Sequence, residues 1–146
     1  GWFRDLFALV RDNGLAVLPH AGETDGADSV WACLNMGASR IGHGIRAIED
    51  PGLVQYLREK RIPLEICITS NLCTGVVSSL REHPVRRLFD AGVPIVLNTD
   101  DPALFRTSLS SEYRLAAEHF GFTDDELRTV AANSLAFRSR SPSDFL

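Results

Sequence analysis

Only three cysteines, Cys33, Cys67 and Cys73, occur in the 146 residues, and no two form a CxxC pair. An odd number of thiols beside apolar neighbours such as Ala32, Ile66 and Leu72 excludes a disulfide framework. It reads instead as reduced core residues in a cytoplasmic protein. Long apolar runs are absent, and no basic leader precedes a hydrophobic stretch, so neither export nor membrane insertion has support. Positive charge is not in excess either: 15 Lys and Arg against 19 Asp and Glu leave a net charge of −4. That balance gives no footprint for nucleic acid or for an anionic membrane surface. Linkers and low-complexity segments are also lacking. Ala21-Gly22-Glu23-Thr24-Asp25-Gly26 has acidic groups and no Gly-x-Gly, which argues against a small doubly wound phosphate-binding domain.

What is present is a recurring alternation of short apolar runs with amphipathic stretches. Phe3, Leu6, Phe7 and Val10 recur at helical spacing before the stop Asp12-Asn13-Gly14. Leu15 to His20 is a nearly continuous apolar run of the kind found in buried parallel strands. Further helices are predicted over 29–36, 50–60, 84–91, 110–119 and 124–136, and further strands over 40–43, 63–69 and 94–98. Asp50-Pro51 is a clear helix start, a capping side chain followed by proline at the first helical position. Strands alternating with helices at intervals of about 30 residues predict βα units and a parallel sheet. A whole (β/α)8 barrel takes about 250 residues. Four units beginning in mid-helix therefore read as the C-terminal half of such a barrel, an α/β fold over residues 1–138, with 139–146 as a frayed or altered tail.

In every unit the chemistry-bearing residues fall at or just after the strand: His20 and Glu23, His43, Ser70 and Asn71, Asp100 and Asp101. In a parallel barrel those ends share one rim, where active sites are built. Each residue has a structural explanation by itself. A histidine at a strand end often satisfies a local hydrogen bond, and Glu23 suits a helix amino terminus. Asp100-Asp101-Pro102 suits an N-cap, Gly42 and Gly44 permit a tight turn, and Ser70-Asn71 are common turn residues. Their coincidence on successive strand ends favours a site. Imidazole and carboxylate are ligands for a borderline cation such as zinc, and His20 with Asp100 is the plausible pair.

The motifs His20-Ala21-Gly22-Glu23, Arg40-Ile41-Gly42-His43-Gly44, Thr69-Ser70-Asn71 and Leu97-Asn98-Thr99-Asp100-Asp101-Pro102 resemble, in order, those of the adenosine and adenine deaminases of the amidohydrolase superfamily. The resemblance covers nearly the whole sequence. It implies hydrolytic deamination of adenosine to inosine and ammonia, with adenine or another 6-aminopurine as alternative substrate. It implies one zinc ion per complete site, with His20 and Asp100 as metal ligands. Glu23 is implied as the acid that protonates the purine ring, and His43 as the residue that positions and helps deprotonate the water. Substrate-binding roles are implied for Asp101, at the purine imidazole nitrogen, and for Gly22. The implied partner is a small purine, with neither nucleic acid nor membrane.

One departure bears on these expectations. The family's His-x-His, which completes its zinc site from the first strand, has no counterpart, since His20, His43, His83 and His119 are the only histidines. His83 and His119 read as surface or structural. The first strands are expected upstream, and a half-barrel with open edges is expected to self-associate or pair with the missing half, and to be inactive by itself. An inert fragment or assembly module is the competing reading.

Overall fold

The computed structural model describes residues 2–138, so the tail expected over 139–146 lies outside the described residues. Elements follow in the order α1 (Trp2–Asp12), β1 (His20–Ala21), α2 (Ala27–Asn35), β2 (Ile41–His43), α3 (Pro51–Lys60), β3 (Leu64–Ile66), α4 (Ile68–Cys73), α5 (Val85–Asp90), β4 (Ile95–Leu97), α6 (Pro102–Phe105), α7 (Leu109–Phe120) and α8 (Asp124–Ala136). The four strands form one parallel sheet in sequence order, β1-β2-β3-β4. The register aligns His20 with Gly42, Gly42 with Glu65, and Glu65 with Val96, so these four residues form one row across the sheet.

Local signals account for the helix boundaries. The Asp50 carboxylate accepts from the backbone N–H of Gly52 (2.8 Å) and Leu53 (3.2 Å), Pro51 needs no partner at N1, and Arg61 closes α3 in the left-handed conformation. Trp31 Nε1 donates to the other oxygen of Asp50, and this bond first, then the capping amides, holds the carboxyl below its usual range. Thr123 and Glu126 form a complete capping box on α8, and Gly121 ends α7 at φ 65°. Burial then orders the layers. Leu53 and Leu57, one turn apart on α3, are fully buried together with Leu64, Ile66, Leu88 and Ile95. Each such side chain contributes about 1.5–3 kcal/mol of transfer free energy. Arg86 ties α5 to α8, donating to both oxygens of Glu126 at 2.9 and 2.8 Å and lying over the rings of Phe89 and Phe122.

Three sequence expectations need correction. The run Leu15–Pro19 is not regular strand: the carbonyls of Val17 and Pro19 accept from Ser39 N and Gly42 N, but Pro19 has no N–H to return to the ladder, so β1 is confined to His20–Ala21, and Leu15 and Leu18 are exposed. The third strand ends at Ile66 rather than Thr69, since Ile68–Cys73 turns into helix. Of the cysteines, Cys33 and Cys67 are buried but Cys73, at the end of α4, is exposed, and all three are free. Helix α1 is amphipathic as expected, yet only Phe7 and Val10 pack on the core, while Phe3, Leu6 and Leu9 face outward. No helix among the described residues is long and apolar enough to cross a membrane.

Candidate active site

The expected residues converge at the carboxyl ends of the strands. His20 opens the two-residue β1 against Gly42, where a Cβ would lie 2.4 Å from the His20 ring; glycine is required at 42 to admit the imidazole. The chain then turns at Gly22 (φ 63°), whose N–H donates to Ser29 Oγ and whose carbonyl accepts from Arg46 N, before presenting Glu23. A Cβ on Gly22 would meet Val30 Cγ2 at 2.5 Å. His43 ends β2 and Asp100 follows β4; both hold left-handed backbone, at φ 60° and 59°. Side chains other than glycine occupy that region at a cost of about 1–3 kcal/mol, and such strain gathers at functional sites.

The geometry is compact. His43 Nε2 lies 3.5 Å from Glu23 Oε2 and 4.0 Å from Asp100 Oδ2, and the His20 and His43 rings meet edge to face with centroids 4.7 Å apart. Ser70 Oγ donates to Asp100 Oδ2 at 2.7 Å, fixing the carboxylate. His43 is 1 % exposed, and burial, partly opposed by the Glu23 carboxylate, lowers its pKa from the ordinary imidazole value. Beside the cluster, His20, Gly22, Glu23, Thr24, Ser29 and Cys33 line a cavity of about 140 Å³. A larger depression of about 320 Å³ lies between Ile45–Glu49 and Gly75–Ser78, to one side of the cluster, so cavity size alone would mislocate the site.

Two points of metal chemistry follow. The potential ligand atoms of His20, Glu23 and His43 all lie within 4.8 Å of one another, so mixed nitrogen and oxygen donors suited to a borderline divalent cation are in place. Proximity groups Glu23 with the histidines, whereas the family resemblance implies Asp100 as the carboxylate ligand; Ser70 holds Asp100 by a hydrogen bond of the kind that orients ligating carboxylates. Asp101 is exposed and caps α6 through Oδ1 to Leu104 N at 2.9 Å, leaving its second carboxylate oxygen for another donor.

Sequence reasoning undervalued two residues. Asn71, read as a turn residue, is fully buried on α4, its amide 3.2 Å from His43 Nδ1. His83, read as surface or structural, is 4 % exposed and contacts Asn71 on its far side at 3.2 Å. One signal was available: His83 adjoins Pro84, the N-cap of α5, and a helix in a βα unit is tied by its loops to the barrel rims. His119 is exposed on α7.

Four parallel strands with helical crossovers, and ionisable side chains gathered at their carboxyl ends, are the arrangement of the C-terminal half of a (β/α)8 barrel. The chain belongs to the adenosine deaminase family, whose family model, "Adenosine deaminase", matches residues 2–141. It is 49 % identical over 142 residues to an adenosine deaminase of Shewanella loihica, an alignment covering 95 % of this chain and 43 % of that protein. Among solved structures it is similar to an adenine deaminase from Arthrobacter aurescens, with a TM-score of 0.91 and 31 % identity, covering 97 % of this chain and 44 % of that one. An Arabidopsis N6-mAMP deaminase matches with a TM-score of 0.83 and 32 % identity over 97 % and 42 % of the two chains. The chain thus spans less than half the length of these relatives.

Proposed function

We propose that this chain provides the rim of a metal-dependent hydrolase that deaminates a 6-aminopurine, with adenosine plus water giving inosine plus ammonia as the leading reaction. The observation carrying the proposal is the convergence of His20, Glu23 and His43 from two adjacent strands, with Asp100 reaching the same imidazole nitrogen from β4. His20 and Asp100 would hold the cation, for which zinc suits an imidazole and carboxylate set. Catalytic zinc takes about three protein ligands, so two from this chain require others from elsewhere in a complete site. A divalent ion bound there supplies Lewis acidity and a water whose pKa is near 7.

The protein groups then divide the remaining work. Glu23, partly buried in its cavity, delivers a proton to the purine ring nitrogen as the carbon bearing the amine is attacked. His43, enclosed and anchored, holds the attacking oxygen in line. Asp101 accepts from the purine imidazole edge with the oxygen not engaged in capping α6. Gly22 contributes backbone to the same wall; its N–H is already taken by Ser29, so its contribution to the purine is contour rather than that donor. The products are a purine carbonyl and ammonia, a step of purine salvage in the cytoplasm.

Adenine and N6-mAMP, the substrates named for two structural relatives, are the alternative 6-aminopurines. The inert assembly reading draws on a different observation, the exposed Leu6 and Leu18, which share an apolar depression between α1 and the segment leading into the edge strand β1. A second half-barrel suits that edge. The test is ammonia release from adenosine, adenine and N6-mAMP with added zinc, by the chain alone and mixed with the remaining part of the Shewanella loihica relative. Turnover that requires the mixture and disappears in Glu23→Gln supports the deaminase rim. Folded protein without turnover in either sample supports the inert reading.

A further inference from the structure

A buried chain of hydrogen bonds runs from a backbone amide to the back of the site, and its direction is set at the far end. The backbone N–H of Val85 can only donate, and it lies 3.2 Å from His83 Nδ1, which must therefore accept. Burial among Pro84, Val85 and the Phe120 ring depresses the His83 pKa to about 4, so the ring is neutral near pH 7 and carries its proton on Nε2. That Nε2 is 3.2 Å from Asn71 Oδ1, which accepts, and the orientation of the Asn71 amide is thereby fixed. Its Nδ2 then faces His43 Nδ1 at 3.2 Å as a donor. All three side chains are at most 4 % exposed, so water has little access to substitute for a partner.

We propose that His83 and Asn71 are positioning residues that lock the His43 ring in its Nε2–H tautomer, so that it meets the site as a hydrogen-bond donor. Donation at Nε2 is directed at the space bounded by Glu23 Oε2 and Asp100 Oδ2, both acceptors. Rotation of the ring would break the Asn71 contact, which couples orientation to tautomer. The tautomer assignment stands apart from the proposed deamination; only its chemical use rests on that reading. Within it, a neutral His43 anchors the attacking oxygen through an N–H and cannot be the first acceptor of that oxygen's proton, a role left to a carboxylate such as Asp100.

The test is nitrogen-15 NMR of the histidine-labelled full chain at neutral pH in chelated buffer, reading each ring nitrogen as protonated or bare. The expected wild-type result is a bare Nδ1 and a protonated Nε2 on His43, with the same pattern on His83. In Asn71→Asp, whose side chain only accepts, His43 Nδ1 gains a proton; in His83→Gln, which can still donate to Asn71, the His43 pattern is retained. A protonated His43 Nδ1 in the wild type overturns the proposal, and needs no variant to fold. A bare Nδ1 in folded Asn71→Asp overturns it as well. If the mixture described above turns adenosine over, Asn71→Asp is expected to lower kcat about 100-fold, the low end of what a well-placed proton donor or acceptor contributes, with KM within about twofold. Failure of deamination with the NMR pattern intact would sink only the deaminase reading.

Discussion

Nε2 of His43 stands 3.5 Å from Oε2 of Glu23, a contact between the end of β2 and the turn after β1. The pair places a carboxylate and an imidazole on the same small volume while a second carboxylate, Asp100, approaches from β4 at 4.0 Å. Two carboxylates around one buried imidazole invite different roles, and substitution separates them.

Glu23→Gln keeps the shape and removes the ability to carry the ring-bound proton. With a complete site, kcat for adenosine is expected to fall about 10²–10⁴-fold, with zinc content and melting temperature unchanged. Steady-state kinetics alongside metal analysis checks this, and a variant of near wild-type kcat would remove Glu23 from the chemistry.

Asp100→Asn separates ligand from acid. Outer-sphere partners of a metal ligand typically change affinity about 10–100-fold, so loss of the ligand itself is expected to weaken zinc binding by at least about tenfold, measured by competition with a chromophoric chelator. Should Glu23→Gln produce that loss and Asp100→Asn leave binding intact, the ligand and the acid exchange places.

His83 gives stability a defined pH dependence. Its folded pKa, about 4, lies below the unfolded value near 6.5. As pH falls, the unfolded chain therefore takes up the proton first. The stability associated with neutral His83 is whole above about pH 6.5 and is lost as pH drops to about 4. Urea denaturation should show wild type losing on the order of 3 kcal/mol more than His83→Gln across that window; parallel pH profiles would contradict this.

Two glycines with left-handed backbone separate conformational from steric cost. Gly75 (φ 75°) has nothing within 4 Å of an added Cβ, whereas at Gly44 (φ 69°) that atom would lie 2.5 Å from Leu64 Cδ2. Gly75→Ala should cost about 1–2 kcal/mol, and Gly44→Ala about 1–3 kcal/mol more through overpacking. Equal losses in denaturant midpoints would show that Leu64 yields without penalty.

The sequence carried much of this architecture because burial and capping are local signals. Asp50-Pro51 marks a helix start by its own chemistry, and Leu64 to Ile66 and Ile95 to Leu97 read as strands because both faces are covered. The motif residues His20, Glu23, His43 and Asp100 were legible because strand ends meet on one rim. Helix α4 was not, since Thr69-Ser70-Asn71 favours a turn locally and is held helical by tertiary partners, including Glu112 accepting from Thr69 N and Asn71 bridging two histidines. His83 escaped for the same reason: 12 residues separate it from Asn71, and no periodicity encodes a contact between a helix interior and a loop. The loss of Leu15–Pro19 from the first strand reflects Pro19, whose carbonyl accepts from Gly42 N but which has no N–H to carry the ladder further back.

The left-handed backbone at His43 and Asp100 also restricts how such a rim can diversify. Glycine, asparagine, aspartate and histidine enter that conformation most readily, so most other single replacements there carry a conformational penalty before their chemistry is tried. Glycine would relieve the strain but supplies no functional group. New specificities are therefore more accessible through the surrounding loops, such as Thr24–Gly26, than through these two positions. Selection for altered substrates would then leave the imidazole and carboxylate unchanged while the walls around them drift.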